Sequence, residues 1–469
     1  MNPLSVKPKN IMVFGDIMLD IKLIGSVNKM ANEAPIPVLL YADKKTYVGG
    51  CGNVLMNLQS LGCEKLYIFS MIGQDPHGEE LSKILSAYPE IEQHLYKDAT
   101  YTTIVKTRGF ANKKIIFRYD IERPYKVLEA HIQQLKRSVD SVIQTTRIDA
   151  IVFSDYNKGF LTKEICEYVI SLANKHGVPT FVDPKVDYKR YLNCTLIKPN
   201  TKELGDVFGI QYRKSEIEAI HLAVKEKAQC LETLFTLSEE GMSLCTEDGT
   251  ILYEKAEESE VNDVTGAGDV VLSVIAYYYG CLSKRELVQL ATRMGTISVR
   301  YVGTYVLSKS DILSASRKVR TTKLITADQI QYLKNPIVFT NGCFDILHEG
   351  HTSLFTYCSS IKPVGGEVMV AINSDASIRR LKGAQRPINC ERARVDLLNN
   401  IETIDWIIVF DEDTPYELLK KIQPHTLVKG GDYTQDTIIG KEFSKNTLIF
   451  RYIGGKSTTN IIRQIKAAS

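Results

Sequence analysis

The distribution of apolar residues along the chain predicts two successive α/β parts. Short β-branched and apolar runs alternate with amphipathic segments of helix length. The strands predicted in the first part lie at 11–14, 66–69, 150–153, 180–182, 196–198 and 233–237. Those predicted in the second part lie at 336–340, 367–371, 406–410, 426–428 and 448–451. Strands separated by helix-length segments indicate βαβ units, so we expect a parallel sheet in each part.

Two stretches depart from this pattern. Residues 21–47 and 102–123 alternate apolar and polar side chains, which predicts a small antiparallel sheet beside the parallel one. This sheet could be a flap over a substrate or a simple edge extension. Residues 314–335 lack a clear apolar period, and we place the domain boundary there. The predicted limits are 1–318 for the first domain, 319–334 for a linker and 335–469 for the second domain.

Composition and charge narrow the classes of function. The 469 residues exceed what one hydrophobic core usually organises. The net charge is only +3, with no basic stripe interleaved with aromatics, which disfavours a nucleic-acid partner. The longest apolar runs, such as 270–276, are too short to span a membrane. Ten scattered cysteines without a C-x-x-C pair, and no recognisable signal peptide, favour a cytoplasmic protein with reduced thiols.

In parallel sheets, ligands bind beyond the carboxyl ends of the strands. Polar and glycine residues recur at those positions in both parts. The residues that follow predicted strands include Asp16, Asp155, Lys185, Asn200, Asn341, Gly342 and Lys429. They indicate a candidate site at one edge of each sheet.

The clearest motif of the first part is NDVTGAGD at 262–269, followed by the helix-like run 270–280. Two glycines two residues apart let backbone N–H groups turn inward, and the helix start adds positive charge. Gly266, Ala267 and Gly268 could therefore form an anion hole for a phosphoryl group. Asp269 is placed to take a proton from an attacking hydroxyl. The alternative is a tight turn in which Asp269 caps the helix.

This motif resembles the C-terminal signature of the ribokinase-like (PfkB) sugar kinases, and further matches cover residues 10–310. The resemblance implies a three-layer α/β domain with a small β flap. It implies that Asp269 is the base and that sugar binding involves Asp16, Gly49, Gly50, Asn53, Asp155 and Lys185. For ATP and Mg²⁺ it implies Asn200, Thr201, Lys202, Glu203, Ser238, Glu239 and Gly241, with Glu203 acting on the metal indirectly.

The second part opens with TNGCFDILHEGH at 340–351. His348 and His351 are spaced to lie on one face at a helix start. There they can donate to the α-phosphate of a nucleotide as negative charge builds on it. A zinc site is the main alternative, but the pair is one residue short of H-E-x-x-H and no third ligand is evident. Two unrelated surface histidines are the other alternative.

This segment resembles the H-x-G-H nucleotidyltransferases, which implies a Rossmann-like domain. Attack on the α-phosphate needs no general base there, because a sugar phosphate is already ionised. The resemblance implies nucleotide and phosphate contacts from Asn341, Gly342, Phe344, Asp345, Lys382, Arg386, Lys429, Asp432, Ser457, Thr458 and Thr459.

The order of the two parts and the motifs over the whole chain resemble the bifunctional heptose kinase/adenylyltransferases of Gram-negative bacteria. The resemblance implies ATP-dependent phosphorylation of D-glycero-β-D-manno-heptose 7-phosphate at O1. It then implies transfer of AMP from ATP to heptose 1-phosphate, after a separate phosphatase has acted. The product, ADP-heptose, would supply the inner core of lipopolysaccharide. By residue type, candidate anchors for the 7-phosphate are Lys185, Arg118 and Lys158.

Two alternatives stay open at this point. One is a kinase–nucleotidyltransferase fusion that acts on another sugar phosphate or uses CTP. The other is a non-catalytic scaffold on degenerate enzyme folds, which the intact Asp269, His348 and His351 disfavour. The partners expected are small molecules, and relatives of the first part suggest a homodimer formed through the flap.

Overall fold

The computed structural model describes residues 6–112, 114–319, 323–333, 335–431, 434 and 437–450, without the side chains of 314 and 316–319. The chain divides into two compact units, Val6–Ala315 and the part from Ser316 onward. None of the described helices is long and apolar enough to cross a lipid bilayer. The limits predicted at 318 and 335 stay predictions.

The first unit contains thirteen described strands. They are β1 Asn10–Gly15, β2 Ile17–Met30, β3 Pro37–Gly50, β4 Lys65–Gly73, β5 Ile91–Asp98, β6 Ile104–Ala111, β7 Lys114–Ile121, β8 Ala150–Ser154, β9 Thr180–Asp183, β10 Leu196–Ile197, β11 Glu232–Thr236, β12 Met242–Cys245 and β13 Ile251–Glu254. The α-helices that begin in it are α1 Cys51–Leu61, α2 Pro76–Leu85, α3 Glu129–Thr145, α4 Lys163–Lys175, α5 Thr201–Phe208, α6 Ile217–Ala228, α7 Ala267–Tyr278, α8 Lys284–Ser298 and α9 Lys309–Val319. Short 3₁₀ helices lie at Tyr188–Tyr191, Lys214–Glu216 and Ser238–Glu240.

A nine-stranded sheet forms the centre of this unit, in the order β13-β12-β11-β10-β9-β8-β1-β4-β5. It is parallel from β11 to β5, as predicted, whereas β12 and β13 add an antiparallel edge. The residues Ile11 to Phe14 of β1 have no exposed surface, because helices cover both faces of a central parallel strand. The strand order reverses at β1, between β4 and β8, and such a switch point is where ligands bind in open α/β sheets.

The predicted small sheet exists and has four strands in the order β3-β2-β6-β7. We call it the flap. The prediction of a purely antiparallel sheet is wrong in one respect, since β2 and β6 run parallel. The chain leaves β2 through the turn to β3 and returns to β6 only after β4 and β5, so alternation alone could not reveal the direction of that pairing.

The second unit contains the strands β14 Leu324–Ile325, β15 Ile337–Gly342, β16 Glu367–Asn373, β17 Trp406–Phe410, β18 Thr426–Gly430 and β19 Asn446–Phe450. Its α-helices are α10 Glu349–Ser360, α11 Asp375–Lys382, α12 Glu391–Asn399 and α13 Tyr416–Ile422, with 3₁₀ helices at Ile330–Tyr332 and Lys441–Phe443.

These strands form a parallel sheet in the order β14-β17-β16-β15-β18-β19. As in the first unit, the strand order reverses at one strand, here β15, although all strands run parallel. All five strands predicted for this part are present. The predicted linker also contains structure, because Leu324 and Ile325 pair with Ile407 and Ile408 of β17. This two-residue edge strand is too short to be recognised from periodicity.

Candidate active sites

Asp269, in the first turn of α7, is held by two side chains from other elements. The Tyr156 hydroxyl donates to its two carboxylate oxygens, at 3.0 and 2.8 Å. Nδ2 of Asn53, in α1, donates to Oδ2 at 2.9 Å. Burial raises the pKa of Asp269 to about 6, while these two hydrogen bonds pull it down. An oriented carboxylate with a pKa just below neutrality is suited to accept a proton from a hydroxyl.

The loop before α7 leaves room for an anion at the helix start. Gly266 has φ +79°, and a Cβ there would lie 2.7 Å from Nδ2 of Asn53, so only glycine fits without displacing that side chain. A Cβ on Gly268 would lie 3.4 Å from both Asp183 Oδ2 and Lys198 Nζ. Helix α7 begins at Ala267. The backbone N–H groups of Gly266 to Gly268 and the positive end of this helix could therefore hold a phosphoryl group.

Lys198 is a residue that the motif search missed. Its side chain is 2% exposed, and its Nζ lies 3.0 Å from Asp183 Oδ2. It follows β10 directly, so its position at a strand end was the available signal. The buried ammonium beside the Gly266–Gly268 loop contributes positive charge to the same site.

Gly49 and Gly50 end β3 just before α1, and both have close neighbours. A Cβ on Gly50, which has φ +61°, would lie 2.2 Å from the Asp16 carbonyl oxygen. A Cβ on Gly49 would lie 2.2 Å from the carboxylate of Asp20. Asp20 is 4% exposed and receives a hydrogen bond of 2.9 Å from Arg108 in β6. The second carboxylate of GDIMLD was not among the predicted site residues.

Asp16 and Asp155 are both predicted to bind sugar, and both carboxylates accept hydrogen bonds from other groups of the protein. Asp16 is 1% exposed and accepts backbone N–H groups of Tyr156, Lys158 and Phe160 at 3.2, 2.9 and 3.2 Å. Burial raises its pKa to about 6, and these three bonds oppose the rise. Asp155 accepts from the Tyr191 hydroxyl at 2.7 Å. The structure thus assigns both to shaping the loop that presents Tyr156, and their sugar contacts stay a prediction.

The N-x-x-E residues form a capping box at the start of α5. The Asn200 side chain accepts from the Glu203 backbone N–H at 2.9 Å, and Glu203 Oε2 accepts from the Asn200 N–H at 3.0 Å. Lys185 donates to the other oxygen, Oε1, at 3.0 Å. Both oxygens of Glu203 are therefore occupied by protein groups. Thr201 and Lys202 occupy the first turn of the same helix.

The predicted nucleotide loop lies beside this helix. The end of β11 is joined to Asn200 through a parallel bridge between Asn200 and Thr236. Ser238 and Gly241 have φ of +53° and +99°, and Glu239 is exposed between them. The structure thus brings the N-x-x-E residues and this loop together.

Two of the three predicted phosphate anchors belong to one network of ion pairs. Lys185 pairs with Glu203, as described above. Lys158 pairs with Glu122 at 2.8 Å, and Arg118 pairs with Asp120 on its own strand at 2.7 Å. Lys106 lies between these pairs, 3.1 Å from Asp120 and 3.5 Å from Glu122, so Arg118 and Lys158 belong to one network of ion pairs. The prediction grouped the three anchors by residue type alone, and Lys185 pairs with Glu203 of α5 instead.

In the second unit, His348 is the N-cap of α10 and His351 lies in its first turn. Their rings stack with centroids 3.8 Å apart, and the Phe344 ring meets His351 edge-on at 5.0 Å. Burial lowers the pKa of His351 to about 4, assisted by the charges of His348 and Lys382. Among the described residues, Nδ1 of either histidine has no hydrogen-bond partner.

The loop between β15 and α10 is fastened by Asp345. This carboxylate accepts from Arg386 at 2.6 Å and from the backbone N–H groups of Ile388 and Asn389 at 2.8 and 2.9 Å. Burial would raise the pKa of Asp345, but these bonds lower it overall. Asp345 therefore orients the loop and Arg386, and its contact with a nucleotide stays a prediction.

Two more predicted residues meet at the end of β15. Lys429 of β18 donates to the side-chain oxygen of Asn341. Burial lowers the pKa of Lys429 to about 8. A Cβ on Gly342 would lie 3.0 Å from the Phe344 ring. The backbone of Phe344 has a positive φ of +43°. The structure thus brings Asn341, Gly342, Phe344, Lys429 and the histidine loop to one sheet edge.

Arg394 is the main residue of this site that sequence reasoning missed. Its side chain has no exposed surface. It donates to the carbonyl oxygens of Cys343 and Asn373 at 2.9 and 2.8 Å, and to Asp375 at 2.7 Å. It ties the loops after β15 and β16 together. Asp432, Ser457, Thr458 and Thr459 lie outside the described residues.

Family models match both parts of the chain. Residues 8–311 match the pfkB family carbohydrate kinases, and residues 339–463 match the family described as cytidylyltransferase-like. The fold and the two sites thus define a carbohydrate kinase followed by a nucleotidyltransferase, as predicted.

Solved structures show the fold of the first unit. The crystal structure of phosphofructokinase-2 from Escherichia coli in complex with potassium superposes with a TM-score of 0.54 at 18% identity, covering 67% of this chain and 99% of that one. Arabidopsis thaliana ribokinase complexed with ribose and ATP superposes with a TM-score of 0.51 at 15% identity, covering 66% and 99%. The predicted ribokinase-like fold is confirmed.

Curated relatives match over the whole chain. The bifunctional protein HldE of Sulfurimonas denitrificans is 37% identical over 470 residues, covering 97% of both chains. That of Aliarcobacter butzleri is 35% identical over 478 residues, covering 99% of this chain and 98% of its own. The chain therefore belongs to the family of bifunctional HldE proteins. The predicted resemblance to the bifunctional heptose kinase/adenylyltransferases is confirmed, and the chain is an enzyme with kinase and nucleotidyltransferase parts.

Proposed function

We propose that the first unit phosphorylates D-glycero-β-D-manno-heptose 7-phosphate at O1 with ATP. The observation that carries the proposal is Asp269, held by Asn53 and Tyr156 beside the Gly266–Gly268 loop. Asp269 takes the proton of the anomeric hydroxyl as that oxygen attacks the γ-phosphorus, the bond from this phosphorus to the β,γ-bridging oxygen breaks, and ADP leaves. The loop and Lys198 stabilise the charge on the transferred group. Asp20, next to Gly49, is placed to accept hydrogen bonds from sugar hydroxyls.

We propose that Mg²⁺ accompanies ATP in this unit and is held mainly through water and phosphate oxygens. Glu203 fits an indirect role, because both of its oxygens already accept hydrogen bonds from Lys185 and the Asn200 backbone. Mg²⁺ commonly keeps several waters and takes few protein ligands. When bound, it would neutralise phosphate charge. Thr201, Lys202, Ser238, Glu239 and Gly241 are the proposed nucleotide contacts.

The second unit, in the proposal, transfers AMP from ATP to heptose 1-phosphate and releases pyrophosphate. The pair of His348 and His351 at the start of α10 supports this role, together with Lys382 and the buried Lys429. The depressed pKa keeps His351 neutral at pH 7, so it donates an N–H without carrying charge itself. The nucleophile is an ionised phosphate, so no general base is required. Asp432 and Ser457–Thr459 remain proposed phosphate contacts.

The two reactions are not consecutive. The first product carries phosphates at O1 and O7, whereas the second substrate carries only the one at O1, so a phosphatase must act between them. ADP-heptose then serves the inner core of lipopolysaccharide. We place the enzyme in the cytoplasm, where ATP is available, and retain the domain limits 1–318, 319–334 and 335–469.

We further propose a homodimer formed through the flap. This small sheet exposes large apolar side chains, among them Tyr41 at 64%, Tyr119 at 50% and Ile115 at 48%. Exposed apolar side chains concentrated on one small sheet favour an interface. A solution mass near the 52.7 kDa of one chain would contradict this part of the proposal.

Mass spectrometry of the products tests the proposed reactions. Heptose 7-phosphate and ATP should give the bisphosphate alone, and addition of the phosphatase should give ADP-heptose and pyrophosphate. Parallel reactions with CTP and with other phosphorylated sugars address the remaining alternatives. Faster pyrophosphate release from CTP than from ATP would contradict the adenylyl assignment, and no bisphosphate would contradict the heptose assignment.

A further inference from the structure

The flap carries a row of four like charges. In the strand register, Lys22 of β2 lies opposite Lys45 of β3 and Arg108 of β6, and Arg108 lies opposite Arg118 of β7. Residues directly opposite one another in a sheet project from the same face. The four side chains therefore form one line across all four strands. We call this line the cationic row.

Such an arrangement is unfavourable by itself, because like charges directly opposite each other repel. The neighbouring row on the same face contains Tyr47, Asp20, Lys106 and Asp120. Together the two rows hold five cationic and two acidic side chains, a net charge of +3. Asp20 and Asp120 pair with Arg108 and Arg118, at 2.9 and 2.7 Å. Neither Lys22 nor Lys45 forms an ion pair within the described part of the chain.

Lys22 is not a freely solvated surface lysine. Its ammonium donates to the carbonyl oxygen of Val302 at 2.7 Å and lies over the Tyr47 ring, 5.0 Å from its centroid. Burial lowers the pKa of Lys22, the charges of Arg108 and Lys45 lower it further, and the carboxylates of Asp20 and Asp263 partly oppose the shift. Arg108 itself is only 7% exposed. Two cations are thus held close together in a partly desolvated place, which an anion would stabilise.

The face that bears this row looks toward the acceptor side of the kinase site. The carboxylate of Asp20 adjoins Gly49, and its charge contributes to raising the pKa of Asp269. Val302, which accepts from Lys22, precedes Gly303, whose N–H donates to Asp263 in the motif loop at 2.8 Å. Successive rows on one face lie about 6.6 Å apart. A sugar with one end at Asp269 therefore reaches the Asp20 row first and the cationic row next.

We propose that the cationic row, Lys45, Lys22, Arg108 and Arg118, binds the phosphate that the acceptor sugar already carries. The row makes the kinase selective for a sugar phosphate over the free sugar. This inference rests on the proposed function of the first unit and adds the specificity-determining residues. It keeps Arg118 from the predicted anchors and leaves out Lys185 and Lys158, which lie outside the row and pair with Glu203 and Glu122. Arg108 and Lys22 supply the buried part of the site, and Lys45 and Arg118 supply its exposed rim.

The test compares two acceptors in the full-length enzyme. The ratio of kcat/KM for heptose 7-phosphate to that for unphosphorylated heptose is measured for the wild type, Lys22→Gln and Lys22→Arg. If the free sugar turns over too slowly, its inhibition constant against heptose 7-phosphate replaces its kcat/KM. We expect Lys22→Gln to lower the ratio at least tenfold, mainly through KM, and Lys22→Arg to restore most of it, since it keeps the charge.

Lys44→Gln is the matched control. Lys44 is the sequence neighbour of Lys45, so it projects from the opposite face of β3, and it pairs with Glu80 at 3.3 Å. Its substitution should leave the acceptor ratio as in the wild type. An unchanged ratio in Lys22→Gln, or an equal loss with both acceptors, would overturn the cationic row while leaving the proposed function intact. Failure of the wild type to phosphorylate heptose 7-phosphate would overturn both.

Discussion

Burial shifts the pKa of the central side chain upward in one active site and downward in the other. In the first unit burial raises the pKa of the Asp269 carboxyl to about 6, and in the second it lowers the pKa of the His351 imidazole to about 4. In each case burial favours the uncharged form, because a charge is more costly away from water. The outcomes differ since one group is an acid and the other a base. At pH 7 Asp269 is still mostly ionised and can accept a proton, whereas His351 is neutral.

The sites also differ in how their central groups are oriented. Asp269 is held by hydrogen bonds from Asn53 and Tyr156. His351 is positioned by ring contacts with His348 and Phe344. A base that must take a proton from one atom needs a fixed oxygen. A donor that stabilises developing negative charge on a phosphate must lie close to that phosphate. It does not need a second group that holds its other ring nitrogen. The two units thus carry out different phosphate chemistries, one with a fixed carboxylate base and the other with a positioned neutral donor.

The largest expected effect separates the two sites. Asp269→Asn keeps the shape but removes the base, so phosphorylation of heptose 7-phosphate should fall by about 10²–10⁴-fold. Adenylyl transfer to heptose 1-phosphate should stay within about twofold of wild type, because Asp269 belongs to the other unit. Coupled assays of ADP and pyrophosphate measure both rates. Loss of both activities in parallel would contradict the assignment of two independent active sites.

The reciprocal change is His351→Ala. Removal of one donor to the α-phosphate should lower adenylyl transfer by about 10²–10³-fold, with the kinase rate retained. His425→Gln is the control, since His425 lies in the same unit and contacts the Thr426 hydroxyl at 3.0 Å. If the control lost as much activity as His351→Ala, the effect would reflect destabilisation of the unit.

The pH dependence of the two reactions should differ in the acid range. Asp269 acts in its ionised form and has a pKa of about 6, so kinase kcat/KM should fall about tenfold per pH unit below 6. His351 has a pKa of about 4, so its protonation should not affect adenylyl transfer between pH 5 and 8. Initial rates over that range measure both profiles. A kinase profile that stayed flat between pH 5 and 8 would contradict the assignment of Asp269 as the base.

The smallest expected effect concerns the positioning of the base. Tyr156→Phe removes a hydrogen bond that lowers the pKa of Asp269, so the acid limb of the kinase profile should move to higher pH. A several-fold fall in kcat should accompany the shift. Tyr168→Phe is the matched control, because it removes a 2.6 Å hydrogen bond to an aspartate outside the site, Asp140. A purely structural role of Tyr156 would leave the limb in place, as in the control.

Much of the fold followed from local pattern. All eleven strands predicted for the two parallel sheets are present, because strands buried on both faces are continuous apolar runs. The strands that escaped prediction are the edge elements β5, β13 and the two-residue β14, together with the four-residue β12, which lies between β11 and β13. Edge strands bury one face at most, so their sequences carry a weaker signal. The parallel pairing of β2 with β6 depends on partners about 85 positions apart, which periodicity cannot report.

The chain by itself determined the parts of the sites that are contiguous. The loops around Gly266–Asp269 and His348–His351 follow from short segments in which turn, helix start and reactive group are adjacent. The tertiary structure alone decided which side chains complete them. Tyr156 and Asn53 reach Asp269 from 113 and 216 positions away, and Arg394 joins two loops of the second unit. It also decided that Asp16 is occupied by backbone N–H groups and that four cations of the flap align. These facts are set by strand register and packing, which act between distant segments and leave no local trace in the sequence.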